Sequence, residues 1–209
     1  DRRQRQMCIR DRVGNILLLS KLENQAIPQK RTLYRLDEQI RKAILLLETK
    51  WTKKNIVFEI DLDEVSCTCN ESLMLHVWTN LLDNAIKFNS EGGTIKMELT
   101  EKNGSIIFTI ADNGCGIAEE DCKHIFDKFY QSDSSRKDEG SGLGLALVKQ
   151  LIDLYGGKHI RKKRSRQGHL LHRYSSQQLI GGVHGSIQGI YQGQLRGSRS
   201  GDHGAKPFL

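Results

Sequence analysis

Asn80-Leu-Leu-Asp-Asn-Ala-Ile-Lys-Phe88 is the stretch on which the fold turns. Counting back one turn, His76, Asn80, Asn84 and Lys87 recur at steps of four, four and three, so a helix projects all four from one side. Leu73, Val77, Leu81, Leu82, Ala85 and Ile86 fall on the other side, which is apolar and must face a core. The spacing predicts a helix over Glu71 to Phe88. On its polar side an asparagine supplies a neutral amide oxygen, a suitable hard ligand for Mg²⁺, and a lysine one turn on can meet phosphate. Taken alone, these residues fit an ordinary amphipathic helix with a solvated face equally well.

Working outward, Ile16 to Glu23 has the apolar density of a helix end, and Pro28 stops it. Leu36, Ile40, Ala43, Ile44 and Leu47 share one face of a second predicted helix, Leu36 to Trp51. Val57 to Leu62 alternates like a half-buried strand. Thr94 to Leu99 and Ser105 to Ile110, joined at Asn103-Gly104, read as an antiparallel hairpin. Leu143 to Leu154 is a last helical run. Helices and strands are mixed without βαβ alternation, which predicts an α+β fold: a two-layer sandwich with helices on one face of a mostly antiparallel sheet.

Two glycine loops lie between the second hairpin strand and the last helical run. Asp112-Asn-Gly-Cys-Gly-Ile117 follows the second hairpin strand directly. Gly114 and Gly116 let backbone approach a flat ring closely, and a buried Asp112 carboxylate would accept from the exocyclic amino group of adenine while repelling the carbonyl of guanine. The same residues also make a good structural turn. Gly140-Ser-Gly-Leu-Gly-Leu145 opens a helix, where backbone N–H groups and the positive dipole end suit a polyphosphate. It lacks the preceding strand and later acidic residue of a Rossmann site, and it is not a GxxxxGK[ST] loop. Between the loops, Phe126-Asp-Lys-Phe-Tyr130 reads as an aromatic anchor for a mobile flap over Gln131 to Glu139, with Lys128, Arg136 and Lys137 in reach of phosphate.

In order and spacing these four blocks resemble the GHKL family of ATP-binding domains, and most closely the catalytic domain of bacterial sensor histidine kinases. Asn80 to Phe88 is similar to the N box, Asp112 to Ile117 to the first G box, Phe126 to Tyr130 to the F box and Gly140 to Lys149 to the second G box. The resemblance covers about Leu36 to Tyr155 and implies a Bergerat-type sandwich over residues 36–157. It implies ATP and Mg²⁺ as cofactors, with Asn84 the metal ligand. The nucleotide is expected against Asn84, Asp112, Gly114, Gly116, Ile117, Phe126, Phe129, Gly140, Gly142, Leu143 and Gly144, and transfer is expected to rest on Asn80 and Lys87. Hydrolytic members of the family carry a glutamate base one turn before the metal-binding asparagine. This chain has Asn80 there, and an amide is no general base, so the site is expected to orient ATP for transfer to another group.

The resemblance further implies a histidine acceptor on a helical hairpin, a response regulator that receives the phosphoryl group, and a homodimeric parent anchored in the bacterial membrane with this domain in the cytoplasm. No histidine precedes His76, so the acceptor is expected on a segment not in this sequence, residues 13–30 being the end of that hairpin's second helix. The alternatives are a non-catalytic ATP-binding module and an anti-sigma-type serine kinase.

The formal charge of +7 invites a nucleic-acid reading. It fails on distribution, because Val13 to Tyr155 holds 17 basic and 22 acidic residues and the excess lies in the two ends. Met7-Cys-Ile-Arg-Asp-Arg12 is similar to translated sequencing adapter, so residues 1–12 are expected to be unstructured and a candidate artefact. After Gly157 the apolar period disappears, and 11 of the 20 glycines lie in Gly156 to Leu209. Residues 158–209 are therefore expected to be a disordered, basic, glycine-rich tail, with the closing strands of the fold missing. Codons permitted for this segment, read one base later, include Ile-Ser-Val-Lys-Ser-Asp-Pro-Gly-Lys-Gly-Thr-Phe-Phe-Thr-Val, a typical ending for the family, so a frameshift near Gly157 is expected. The five cysteines form no CxxC pair and are expected to be free thiols.

Overall fold

The computed structural model describes residues 2–24, 30–118, 120–131, 140–163 and 170–176, and within 2–12 and 158–176 its backbone alone. Residues 132–139 of the flap expected over Gln131 to Glu139, with Arg136 and Lys137, and the residues beyond 176 lie outside the described residues.

The helix read from Asn80 outward is α4, numbering elements in chain order, and spans Glu71–Lys87. Asn70 caps its start, the side-chain oxygen accepting from Leu73 N–H at 3.1 Å. Its apolar face, Leu73, Met74, Val77, Trp78, Leu81, Leu82, Ala85 and Ile86, is buried. Beneath it lies a five-stranded sheet. Strand β2 (Val57–Leu62) pairs in parallel with β4 (Thr94–Lys102), which pairs antiparallel with β5 (Ser105–Asp112). The sheet then continues antiparallel through β7 (Leu170–Ser176) to β6 (Lys158–Lys163). Ile95, Met97 and Leu99 of β4 and Ile106, Phe108 and Ile110 of β5 alternate into the core. Their neighbours Lys96, Glu98 and Thr109 stay on the opposite face, away from the described helices. Trp78 meets Phe108 edge-on with centroids 4.9 Å apart, joining the two layers.

Helix α5 (Gly144–Leu154) lies beside α4 and buries Ala146, Leu147, Val148, Leu151 and Ile152. Tyr155 follows it, 1% exposed, and its hydroxyl receives Asn70 N–H at 3.2 Å, tying the end of α5 to the start of α4. Helix α2 (Leu36–Leu46) packs on α4 through Leu36, Ile40, Ala43 and Ile44. A polar relay crosses that contact: Trp78 Nε1 donates to Gln39 Oε1 at 2.8 Å, and Gln39 Nε2 donates to Glu71 O at 2.7 Å. Each partner is satisfied, as a buried amide must be.

Four features depart from the sequence reading. The helix expected over Leu36 to Trp51 breaks at Leu47 into α2 and α3 (Glu48–Lys53), because Ile44 O is taken by Leu47 N–H at 3.1 Å and by the Trp51 indole at 2.9 Å. A two-stranded ribbon of β1 (Thr32–Arg35) and β3 (Ser66–Cys69) is present where the pattern predicts no strand. Tyr34 OH and Cys69 Sγ lie 2.9 Å apart in it, Cys67 Sγ is 3.4 Å from Cys69 Sγ, and burial pushes the Tyr34 phenol far above its ordinary range. Residues 2–12, within the stretch 1–12 expected to be without structure, instead belong to α1, which runs unbroken over Arg2–Glu23, since nothing in Met7 to Arg12 breaks a helix. The closing strands, expected to be missing, are present as β6 and β7. The free side of β5 needs a ladder partner, and backbone supplies one whatever the side chains. The four cysteines with described side chains, Cys67, Cys69, Cys115 and Cys122, are free thiols.

Candidate functional site

Two close approaches assemble the site. Gly114 stands so near the end of α4 that a Cβ there would lie 2.2 Å from Phe88 O, and the next residue, Cys115, donates its N–H to that same oxygen at 3.1 Å. The loop after β5 is thereby seated on the helix turn that carries Asn84 and Lys87. On the other side, a Cβ at Gly144 would lie 2.7 Å from Asn80 Oδ1, so the first residue of α5 rests on the polar face of α4. At Gly114 the obstacle is backbone, so only a missing Cβ permits that spacing, whereas at Gly144 it is the tip of the Asn80 side chain.

Asp112 closes β5 at 5% exposure. Its Oδ1 accepts Gly114 N–H at 3.0 Å, which folds the loop back over the carboxylate. Asn113 Oδ1 accepts Thr94 N–H at 2.7 Å, fastening the loop to the start of β4. Gly116 has φ +70°, the left-handed conformation that turns the chain on toward half-buried Ile117. Asn84 and Lys87 are half-buried, and Lys87 Nζ stands 4.8 Å over the Phe88 ring. Asn80 Nδ2 donates to His76 O at 2.7 Å, which turns the amide oxygen toward Gly144. Desolvation holds the His76 imidazole below its ordinary pKa.

The second glycine loop is bound to the aromatic block. Phe129 N–H donates to Gly142 O at 3.0 Å, and Gly142, at φ +66°, lies so close that a Cβ would be 2.6 Å from Phe129 C. Gln131 Nε2 donates to Gly140 O at 2.6 Å, joining the residues on either side of 132–139. Phe126 is half-buried and Tyr130 OH donates to Asp121 Oδ1 at 2.6 Å, so these two form the anchor. Phe129, expected within that anchor, has φ +63° and is 67% exposed. Leu143, expected among the nucleotide contacts, is instead a core residue, 1% exposed. Lys128, expected to reach phosphate, is ion-paired with Glu23 at the end of α1, and Gln150 Nε2 donates to the same carboxylate at 3.3 Å.

The α5 N-terminus has Leu143 at its cap position, which makes no side-chain cap bond, and it follows directly on the Gly140 loop. Lys54 is a residue that the sequence does not single out. Its Nζ donates to Ile86 O, Lys87 O and Asn89 O at 3.1, 2.6 and 3.0 Å, closing the last carbonyls of α4. As one of a lysine pair after a helix it carries no signal that would separate it from solvated charge.

The family model described as histidine kinase-, DNA gyrase B-, and HSP90-like ATPase matches residues 69–177. The sensor protein KdpD of Clostridium acetobutylicum is 32% identical over 148 residues, 70% of this chain and 16% of that protein. The heme sensor protein HssS of Staphylococcus saprophyticus is 34% identical over 142 residues, 68% of this chain and 30% of that protein. The chain thus spans under a third of the length of these relatives. Among solved structures, the Acinetobacter baumannii histidine kinase AdeS aligns with a TM-score of 0.66 at 25% identity, over 78% of this chain and 75% of that one. The catalytic domain of histidine kinase ThkA aligns with a TM-score of 0.63 at 28% identity, over 70% of this chain and 95% of that one. With more than half its length inside the family match, and with α4 and both glycine loops within that span, the chain belongs to the histidine kinase-, DNA gyrase B-, and HSP90-like ATPase family.

Proposed function

We propose that this domain binds ATP with Mg²⁺ and donates the γ-phosphoryl group to a histidine on a separate helical hairpin, as the catalytic part of a two-component sensor kinase. The observation that carries the reading is the placing of Asn80 against Gly144: an amide, with no carboxylate in its position, faces the start of the phosphate-binding helix. A carboxylate at that point can take a proton from water, whereas an amide can only position. Donation to an acceptor then rests on alignment and electrostatics.

The residues present fit these groups. Asp112, buried and closed over by Gly114, offers acceptors to an adenine amino group at the foot of β5. The uncapped N–H groups at the start of α5 suit a triphosphate. Asn84 offers the hard amide oxygen that would hold the metal, and Lys87 adds a positive charge one turn on. Magnesium, when bound, supplies the charge that offsets the phosphates. Phe126, Tyr130 and the Gln131 bond to Gly140 hold together the described residues on either side of 132–139. In the parent, the acceptor histidine would pass the phosphoryl group to a response regulator.

The test is transfer in trans. The chain is incubated with γ-labelled ATP, Mg²⁺ and histidine-bearing hairpin domains taken from related sensor kinases. Acid-labile, base-stable label on the hairpin is the expected result. ATP binding without label on any hairpin would favour a binding module, and acid-stable label would favour a serine kinase.

A further inference from the structure

Helix α4 carries Asn84 and Lys87 in its last turns, and a helix end is where backbone is least restrained. Four consecutive carbonyls there, from residue 86 to residue 89, have partners other than the helix's own ladder. Phe88 O takes Cys115 N–H from the first glycine loop at 3.1 Å. The other three, Ile86 O, Lys87 O and Asn89 O, all take the Lys54 ammonium, at 3.1, 2.6 and 3.0 Å. An ammonium has three donors, which matches the three carbonyls, and its charge lies at the negative end of the helix dipole. Lys54 is itself held, since its carbonyl accepts Gly92 N–H at 2.8 Å and its side chain is half-buried.

We propose that Lys54 is a positioning residue of the nucleotide site, acting through α4 to hold Asn84 and Lys87 in register with the Asp112 loop. The proposal rests on the nucleotide-site reading above. Without the ammonium, three carbonyls lose their donor together and the last turn frays back toward Asn84. Cys115 would then grip a helix end free to rotate about the Phe88 contact. The metal and phosphate contacts depend on that turn, whereas Asp112 is placed by β5 and keeps its own bond to Gly114. Loss of Lys54 should therefore separate two parts of nucleotide recognition that a general loss of stability would lower together.

The experiment measures binding of Mg-ATP, of ATP with a chelator, and of adenosine to the 209-residue chain by calorimetry, below the melting temperature of each variant. Lys54→Met is expected to weaken Mg-ATP by about 10-fold to 100-fold, the range for residues that orient a metal ligand from behind. The gain in affinity from Mg²⁺ should shrink while adenosine binding stays at the wild-type value. Lys54→Arg should restore much of the loss, and Lys53→Met, on the exposed neighbour, should lose nothing. If Lys54→Met does not fold, Lys54→Gln, with two donors for three carbonyls, takes the same measurements. Wild-type affinity for Mg-ATP in the substituted chain overturns the proposal, and so does an equal loss for Mg-ATP and adenosine. A wild-type chain that binds no Mg-ATP overturns the nucleotide-site reading, a result distinct from either.

Discussion

Asn80 Oδ1 and Gly144 sit within one atom's reach of each other: a Cβ on the glycine would be 2.7 Å from that oxygen. The obstacle is the tip of a side chain, not backbone, so Gly144→Ala is expected to turn the Asn80 amide aside and leave the fold standing. Alanine is favoured over glycine inside a helix by about 1 kcal/mol, and a forced rotamer costs about the same. Melting temperature should therefore change little, while phosphoryl donation falls as far as it does in Asn80→Ala. Measuring both in the same preparations checks this, and unimpaired donation in Gly144→Ala would show that the Asn80 amide has no part in transfer.

Gly114 and Gly92 make an informative pair. Gly92 has φ +69°, and a Cβ added there would meet nothing within 4 Å, so Gly92→Ala faces backbone strain alone, about 1–2 kcal/mol. At Gly114 a Cβ would meet Phe88 O at 2.2 Å and Phe88 C at 2.8 Å, and backbone cannot swing away as a side chain can. Gly114→Ala should cost roughly 3 kcal/mol, near the upper end for single substitutions, and should weaken ATP binding as the loop lifts off α4. Urea titration reads the first effect and nucleotide binding the second. Gly92→Ala should leave affinity unchanged.

These contacts show which parts of the molecule are legible in its sequence. The α4 face and the β4–β5 hairpin each repeat a period over enough residues to be read, and Asn103-Gly104 adopts the two left-handed conformations, φ +53° and +69°, that its turn needs. The glycine loops are visible as motifs because their chemistry is local. The β1–β3 ribbon is not, because four residues per strand are too few for alternation to stand out. β6 and β7 escape the sequence for a different reason. Their place is set by the open ladder of β5, a property of another strand. Lys54 belongs to the same class, since three carbonyls more than thirty residues away give it its role.

Arg35 and Asp37 yield a pH prediction. The guanidinium grips the carboxylate with Nε and Nη2, each at 2.8 Å, and this holds the Asp37 carboxyl below its ordinary value of 3.8. A carboxylate whose pKa is lower in the folded chain contributes stability that is fully present above the unfolded value. That contribution is lost as pH falls through the folded value. The urea midpoint should therefore decline below about pH 4 more steeply in the wild type than in Asp37→Asn, with the gap between the two widest at neutral pH. Parallel curves would mean that the pair contributes nothing to folding.

Asp112 supplies the most selective test of the site. Its Oδ1 accepts Gly114 N–H at 3.0 Å, and asparagine keeps an oxygen able to do the same, so Asp112→Asn should fold and melt close to the wild type. What changes is the other carboxylate oxygen, from an atom that only accepts to an amide nitrogen that donates. Against adenine's amino group an amide N–H is mismatched, and ATP affinity should fall by roughly tenfold or more, the scale of one buried polar mismatch. Against guanine, whose carbonyl accepts, the same N–H is favourable, so the preference for ATP over GTP should narrow from both directions. Parallel binding titrations with the two nucleotides give that ratio. A ratio unchanged from wild type would place the base away from Asp112, even where ATP still binds.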